Sequence, residues 1–238
     1  RTVLRRVLAV INACYAGNIT ILLQQRNTGN SGLESKQAIY RSDYVYCLHQ
    51  LDDRSLTVLL SMIKKRRFLA RISQLNDSLG IPRDYARARC LPVQVEATRL
   101  VSIGPDIYDR EQKMLSGAAR ALQSMQQAAS GDGVEIQVVS AFRSVEYQCG
   151  IIRRKLEQGQ DIERILQVSA APGFSEHHSG RAVDVTTPGY PVLEEEFELS
   201  EAFAWLTGNA AEFSFRMSFP RENPHGVAYE PWHWAWTA

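Results

Sequence analysis

Phe174-Ser175-Glu176-His177-His178-Ser179-Gly180-Arg181-Ala182-Val183-Asp184-Val185 is the stretch on which the reading of this chain turns. Its last four residues alternate as a short strand, with Ala182 and Asp184 on one face and Val183 and Val185 directed into a core. Gly180 tolerates positive φ and supplies the turn that carries His177 back over that strand. The small Ala182 beside Asp184 leaves room for an ion. A second run, Tyr229-Glu230-Pro231-Trp232-His233-Trp234, adds a glutamate and, three residues later, a histidine. That odd spacing would put Glu230 and His233 on opposite sides of a regular strand, so Pro231 is read as the bend that lets both reach one site. Trp232, Trp234 and Trp236 alternate with His233 and are expected to wall the opposite face.

Two imidazoles and one carboxylate, from His177, His233 and Asp184, suit a catalytic zinc, because three protein ligands leave a fourth position open to water. Glu230 is then the base that takes that water's proton. His178 adjoins the expected ligand but cannot share its direction, so His177 is preferred. Arg143, in Ser140-Ala141-Phe142-Arg143-Ser144, falls at a strand-to-helix junction. Its planar donor fork fits a carboxylate or the oxyanion formed during attack on a peptide carbonyl. The plainer alternative for Arg143 is a structural salt bridge.

These residues carry a family resemblance. The chain resembles the zinc D-alanyl-D-alanine carboxypeptidases of the VanY type, in the wider group with VanX-like dipeptidases and phage endolysin peptidases. The pattern S-x-H-x-x-G-x-A-x-D is met by Ser175, His177, Gly180, Ala182 and Asp184, and E-x-x-H-W by Glu230, His233 and Trp234. A third segment, S-x-[FY]-R-S-x-x-x-Q, is met by Ser140, Phe142, Arg143, Ser144 and Gln148. The likeness spans roughly residues 78–238. It implies one Zn²⁺ on His177, Asp184 and His233, with Glu230 as base and Arg143 and Gln148 at the substrate. Ser175 either bonds substrate or orders its loop. The implied substrate is a peptidoglycan stem peptide ending in D-Ala-D-Ala, and the implied place is the bacterial cell envelope or periplasm. Dipeptidase and endopeptidase activity are the rival readings within the family, and an inactive metal-stabilised wall-binding module the rival outside it. A Ser175–His177 nucleophilic pair is disfavoured, since no G-x-S-x-G elbow is present.

A chain of 238 residues with 45% apolar content can bury one substantial core. Residues 1–90 carry a net +9 and the remainder −8. The run Lys64-Lys65-Arg66-Arg67 is read as a solvated helical face, and no nucleic-acid partner is expected. Cys14, Cys47, Cys90 and Cys149 lack C-x-x-C spacing and are read as free thiols. No stretch of eighteen apolar residues predicts a spanning helix. Residues 1–16 have a basic start and a short apolar run of the kind found in export signals.

Residues 1–54 are treated as an extension of unknown role, with a loop at 27–32 and a lone His49 expected to be a packing or surface residue. A helical lead-in follows over 55–80 and a catalytic core over 81–238. Helices are predicted at 55–79, 109–129, 145–158, 161–167 and 200–209. Strands are predicted near 98–103, at 134–139, at 182–185 and at 213–219. His225 is expected to be exposed, and Glu194-Glu195-Glu196 to form a solvated turn. The order predicts an α+β fold, a small antiparallel sheet flanked by helices with the zinc site at the sheet, and the resemblance implies the same LAS-type peptidase fold.

Overall fold

The computed structural model describes residues 53–238; the 27–32 loop, His49, Cys14, Cys47 and the signal-like start lie outside them. Two compact units divide at Phe68, and the second, Leu69–Ala238, holds every residue of the candidate site. Helix α1 (Asp53–Ser78) covers the span read from its apolar spacing, and Gly80 at φ 71° follows its end. Lys64, Lys65, Arg66 and Arg67 are exposed on it. No helix among the described residues is long and apolar enough to cross a membrane.

After a short α2 (Tyr85–Ala88), strands β1 (Val101–Pro105) and β2 (Glu111–Met114) form an antiparallel hairpin. This corrects the helix expected over 109–129, whose first third is β2. Asp106 explains the difference. One carboxylate oxygen accepts the backbone N–H groups of Tyr108 and Arg110 at 2.8 and 3.0 Å. The other accepts Arg110 Nε and Gln112 Nε2, both at 2.8 Å. A side chain that satisfies the backbone two and four residues on favours a turn over a helix. Met114 is fully buried, but from a strand.

Helix α3 (Ser116–Gly131) then presents Ala118, Leu122, Met125 and Ala129 on one buried stripe. Strand β3 (Gln137–Ser140) leads into α4 (Val145–Glu157), whose N-cap Ser144 accepts Tyr147 N–H at 3.1 Å. Asp161 caps α5 (Ile162–Val168) in the same way, accepting Glu163 N–H at 2.8 Å. A 3-10 turn (Glu176–Ser179) precedes β4 (Ala182–Thr186). Helix α6 (Glu201–Asn209), capped by Ser200, and β5 (Phe215–Met217) lead to β6 (His233–Trp236). The acidic run expected as a solvated turn opens a 3-10 helix, Glu195–Leu199, and Arg221 pairs with Glu195 at 3.2 Å and Glu198 at 2.8 Å.

The four-stranded antiparallel sheet has the order β3-β4-β6-β5. Its register explains the site. Val183 lies opposite Trp234, and both enter a core with Val138, Val185 and Phe215 under α3 and α6. Asp184 lies opposite His233 on the other face, and opposite Ser140 on its second flank. Because alternate residues face opposite ways, one ladder builds the core and presents the polar pair together. The three tryptophans wall the far side as the alternation predicts: Trp234 is buried, with Trp232 and Trp236 packed against the same core. The expected α+β architecture, a small antiparallel sheet with helices over one face, is the one observed.

Candidate metal centre and active site

His177 rides the 3-10 turn, which ends in a left-handed Gly180 at φ 67°. A Cβ there would come within 2.7 Å of the Leu100 side chain and 3.3 Å of Leu115 N, so both conformation and space favour glycine. The turn is stitched to the segment after β3. His177 Nδ1 donates to Ala141 O at 2.5 Å, and Arg143 N–H donates to His177 O at 3.3 Å. With Nδ1 committed as a donor, Nε2 is an acceptor that is buried and finds no hydrogen on a neighbour. It lies 3.1 Å from Asp184 Oδ2.

His233, the first residue of β6, turns its Nδ1 to Asp184 Oδ1 at 2.9 Å. Each imidazole therefore faces one oxygen of the same carboxylate. The ligand atoms of His177, Asp184 and His233 all lie within 4.8 Å of one another, and the three residues are 1–3% exposed. An unsatisfied buried nitrogen beside two further donors that one ion can bridge fits a divalent cation, and the N₂O set suits zinc.

Glu230 lies in the turn before β6 rather than on the strand. Its carbonyl accepts His233 N–H at 3.1 Å, and Pro231 makes the bend assigned to it. A Glu230 carboxylate oxygen stands 4.0 Å from His233 Nδ1. Burial, helped by the charges of Asp184 and Glu176, pushes its pKa up to about 7. Arg143 donates to Asp184 Oδ2 at 3.0 Å, while its buried Nε has no partner. Burial, with Arg143 beside it, lowers His177 to about 4, so that ring is neutral, as a ligand must be. Burial opposes charge on Asp184 as well, but the Arg143 guanidinium and His233 hold it well below the usual carboxylate range.

The other expected residues divide. Gln148 is buried, and its amide donates to Ala170 O at 2.8 Å while Oε1 has no partner. Ser175 is buried and places no side-chain cap on the turn. His178 points away: Gly173 N–H donates to its Nε2 at 3.1 Å, and its Nδ1 donates to Arg143 O at 2.6 Å. With both nitrogens used, it ties the turn to the Arg143 backbone. His225 is half-buried rather than exposed, because its Nδ1 meets Arg89 O at 2.9 Å. Cys90 and Cys149 are free thiols.

Two features escaped the sequence reading. Glu176 reaches His233 Nε2 at 3.0 Å and holds Ser218 Oγ at 2.5 Å and Arg216 at 3.2 Å. A carboxylate flanking an expected ligand was the available signal. The second is a relay from the hairpin: Gln112 Nε2 donates to Asp106, and its Oε1 accepts Ala141 N–H at 2.9 Å. Ala141 in turn holds His177 through its carbonyl. Nothing in the local pattern of 106–112 points to residue 177.

Comparison with known proteins agrees with this geometry. The VanY family, described as D-alanyl-D-alanine carboxypeptidase, matches residues 111–238. A D-alanyl-D-alanine carboxypeptidase of Enterococcus faecalis (strain ATCC 700802 / V583) is 31% identical over 147 residues, which is 55% of this chain and 53% of that one. The chain spans about half the length of the curated relatives it matches. Among solved structures, the LdcB LD-carboxypeptidase aligns with a TM-score of 0.54 and 28% identity, over 61% of this chain and 71% of that one. The D,D-dipeptidase VanXYg, in complex with a D-Ala-D-Ala phosphinate analogue, aligns at 0.51 with 25% identity, over 62% and 59%. With the family match covering more than half of its residues, this chain belongs to the VanY family of D-alanyl-D-alanine carboxypeptidases.

Proposed function

We propose that the protein is a zinc-dependent D,D-carboxypeptidase that removes the terminal D-alanine from peptidoglycan stem peptides in the bacterial cell envelope. The observation that carries this reading is the convergence of His177, Asp184 and His233 within 4.8 Å, with the Glu230 carboxylate 4.0 Å from His233. His177, Asp184 and His233 hold the ion. Zinc in such a site supplies Lewis acidity, which polarises a carbonyl and makes water a nucleophile near neutral pH.

The chain's own residues do the rest. Glu230 takes the proton of the attacking water and hands it to the departing amine. A carboxyl group poised near 7 can do both, because it is neither too weak a base nor too weak an acid at that pH. Arg143 directs its fork toward the charge that develops on the scissile carbonyl or toward the terminal carboxylate. Its unpartnered Nε is free for that task. Gln148, whose buried Oε1 has no partner, and Ser175 would position the peptide.

The decisive experiment measures bound zinc and D-Ala release from a pentapeptide, for the wild type and Glu230→Ala. The expected result is one zinc per chain in both proteins and turnover in the wild type only. A Glu230→Ala protein that holds metal and works as fast as the wild type removes Glu230 from the mechanism. A second reading has specific support. The likeness to an LD-carboxypeptidase at 28% identity favours testing a tetrapeptide ending in an L,D bond. Mass spectrometry of products from pentapeptide, tetrapeptide and free D-Ala-D-Ala separates D,D-carboxypeptidase, L,D-carboxypeptidase and dipeptidase activity.

A further inference from the structure

The scheme above gives no task to Glu176, although its carboxylate stands 3.0 Å from His233 Nε2. Glu176 opens the 3-10 turn, one residue before His177. Its Oε2 lies 3.0 Å from His233 Nε2 and 2.5 Å from Ser218 Oγ, and its Oε1 accepts from Arg216 at 3.2 Å. The imidazole is therefore gripped on both nitrogens, by Asp184 at Nδ1 and by Glu176 at Nε2. The Phe219 ring, with its centroid 5.0 Å away, packs alongside.

An ionised carboxylate only accepts hydrogen bonds, so the nitrogen facing Glu176 carries a proton, and the one facing Asp184 carries another until an ion displaces it. A histidine that binds an ion keeps one N–H and gives up the other, and the partner of the retained N–H decides which nitrogen binds. We propose that Glu176 is a positioning residue: it keeps the proton on His233 Nε2, so that Nδ1, beside Asp184, is the nitrogen that gives up its proton and offers its lone pair to the ion. Ser218 and Arg216 fix Glu176 in turn. This inference rests on the metal reading above. It assigns the ring on β6 a different support from its counterpart, since His177 is held by the Ala141 carbonyl. A carboxylate at that place raises the basicity of the ligand more than a carbonyl does, and it links the two ligand segments directly, because residue 176 precedes one ligand and grips the other.

A surface salt bridge with Arg216 does not account for these contacts. The Arg216 side chain is 55% exposed, and such pairs contribute little, whereas the Glu176–His233 and Glu176–Ser218 contacts sit at the sheet.

The test is a competitive chelator titration of zinc affinity on the full chain. It is run for the wild type, Glu176→Ala, Glu176→Gln and Ser218→Ala, with thermal unfolding of each apo protein as a folding control. Glu176→Ala is expected to weaken zinc binding about 10- to 100-fold. Glu176→Gln is expected to recover part of that loss, because the amide oxygen still accepts the Nε2 proton. The ¹⁵N shifts of the His233 ring should report a single Nε2-protonated tautomer in the zinc-bound wild type and a mixture in apo Glu176→Ala near pH 8. Wild-type affinity in both Glu176 variants overturns the inference while leaving the zinc site intact. Failure of the wild type to bind zinc removes the metal reading, and this inference with it. If Glu176→Ala does not fold, Glu176→Gln and Ser218→Ala decide the matter on the same two readouts.

Discussion

Two turns meet at His233, and each brings a glutamate, yet the two carboxylates have opposite characters. Glu176, on the turn before β4, would be raised by burial, but His233, Ser218 and Arg216 outweigh burial and hold it down to about 2. Glu230, on the turn before β6, is part-buried too, with only His233 and Arg143 favouring its charge, and rises to about 7. The same side chain is a fixed anion where hydrogen-bond donors surround it and a carboxyl group of raised pKa where they are missing. In the mechanism proposed above, that unequal distribution of donors between two loops separates holding from proton transfer.

The comparison is broken most severely at Glu230. Glu230→Gln should lower kcat/KM by about 10²- to 10⁴-fold while zinc content, read by metal analysis, stays at the wild-type level. The kcat/KM profile of the wild type should fall as pH drops into acid, since protonated Glu230 cannot accept a proton. A variant that keeps its rate, or a profile flat from pH 5 to 8, erases the distinction drawn between the two glutamates.

Asp106 sharpens the comparison away from the site. Burial opposes its charge, but its bonds from Arg110 and the backbone keep its pKa lowered, so it belongs with Glu176 as an anchored anion. Asp106→Ala should cost about 3 kcal/mol in urea unfolding. A depressed carboxylate stabilises above its unfolded value, here 3.8, and that stabilisation fades as pH falls through the lower native value. The gap between wild type and variant should therefore close in acid.

Next in size is an opposition of sign between the glutamates themselves, read on the apo protein. Glu176 is depressed from 4.5, so its stabilisation is present above 4.5 and is lost as pH falls toward about 2. Glu230 is raised from 4.5, so it costs stability in full above about 7, and that cost shrinks as pH falls from about 7 and is gone only below 4.5. At pH 8, Glu176→Gln should lower the unfolding free energy of the apo protein and Glu230→Gln should raise it, each by on the order of 2 kcal/mol. Shifts of the same sign would mean the two environments are alike. The smallest effect belongs to Ser218→Ala, which removes one donor from Glu176 and should cost about 1 kcal/mol.

What the sequence disclosed follows how local each signal is. The strand at 182–186, the turn at Gly180 and the bend at Pro231 depend on neighbours within a few positions, and spacing alone located them. The pairing of Asp184 with His233 was legible only as chemistry, because two ligand types in separate segments imply a shared ion. Register across β4 and β6 then supplied the geometry. The β1–β2 hairpin was misread as helix, since Met114, Leu115 and Ala118 fall at helical spacing and Asp106 gave no sign of four hydrogen bonds. Glu176 stood inside the decisive stretch and was passed over, because its partners Ser218 and His233 lie 42 and 57 residues away. His178, set aside as a ligand because it adjoins His177, has both nitrogens hydrogen-bonded, and its tie to the Arg143 carbonyl depends on a partner 35 residues away that no local pattern shows.

Asp184 and His233 face each other across one ladder, yet 49 residues separate them in the chain. On a ribosome adding about 5–20 residues per second, β4 therefore emerges several seconds before the strand that completes its ion-holding edge. Until then the nascent chain offers His177 and Asp184 alone, two of the three ligands proposed for the ion. On that proposal, hydrolytic capability would arrive late in biosynthesis, with the docking of β6.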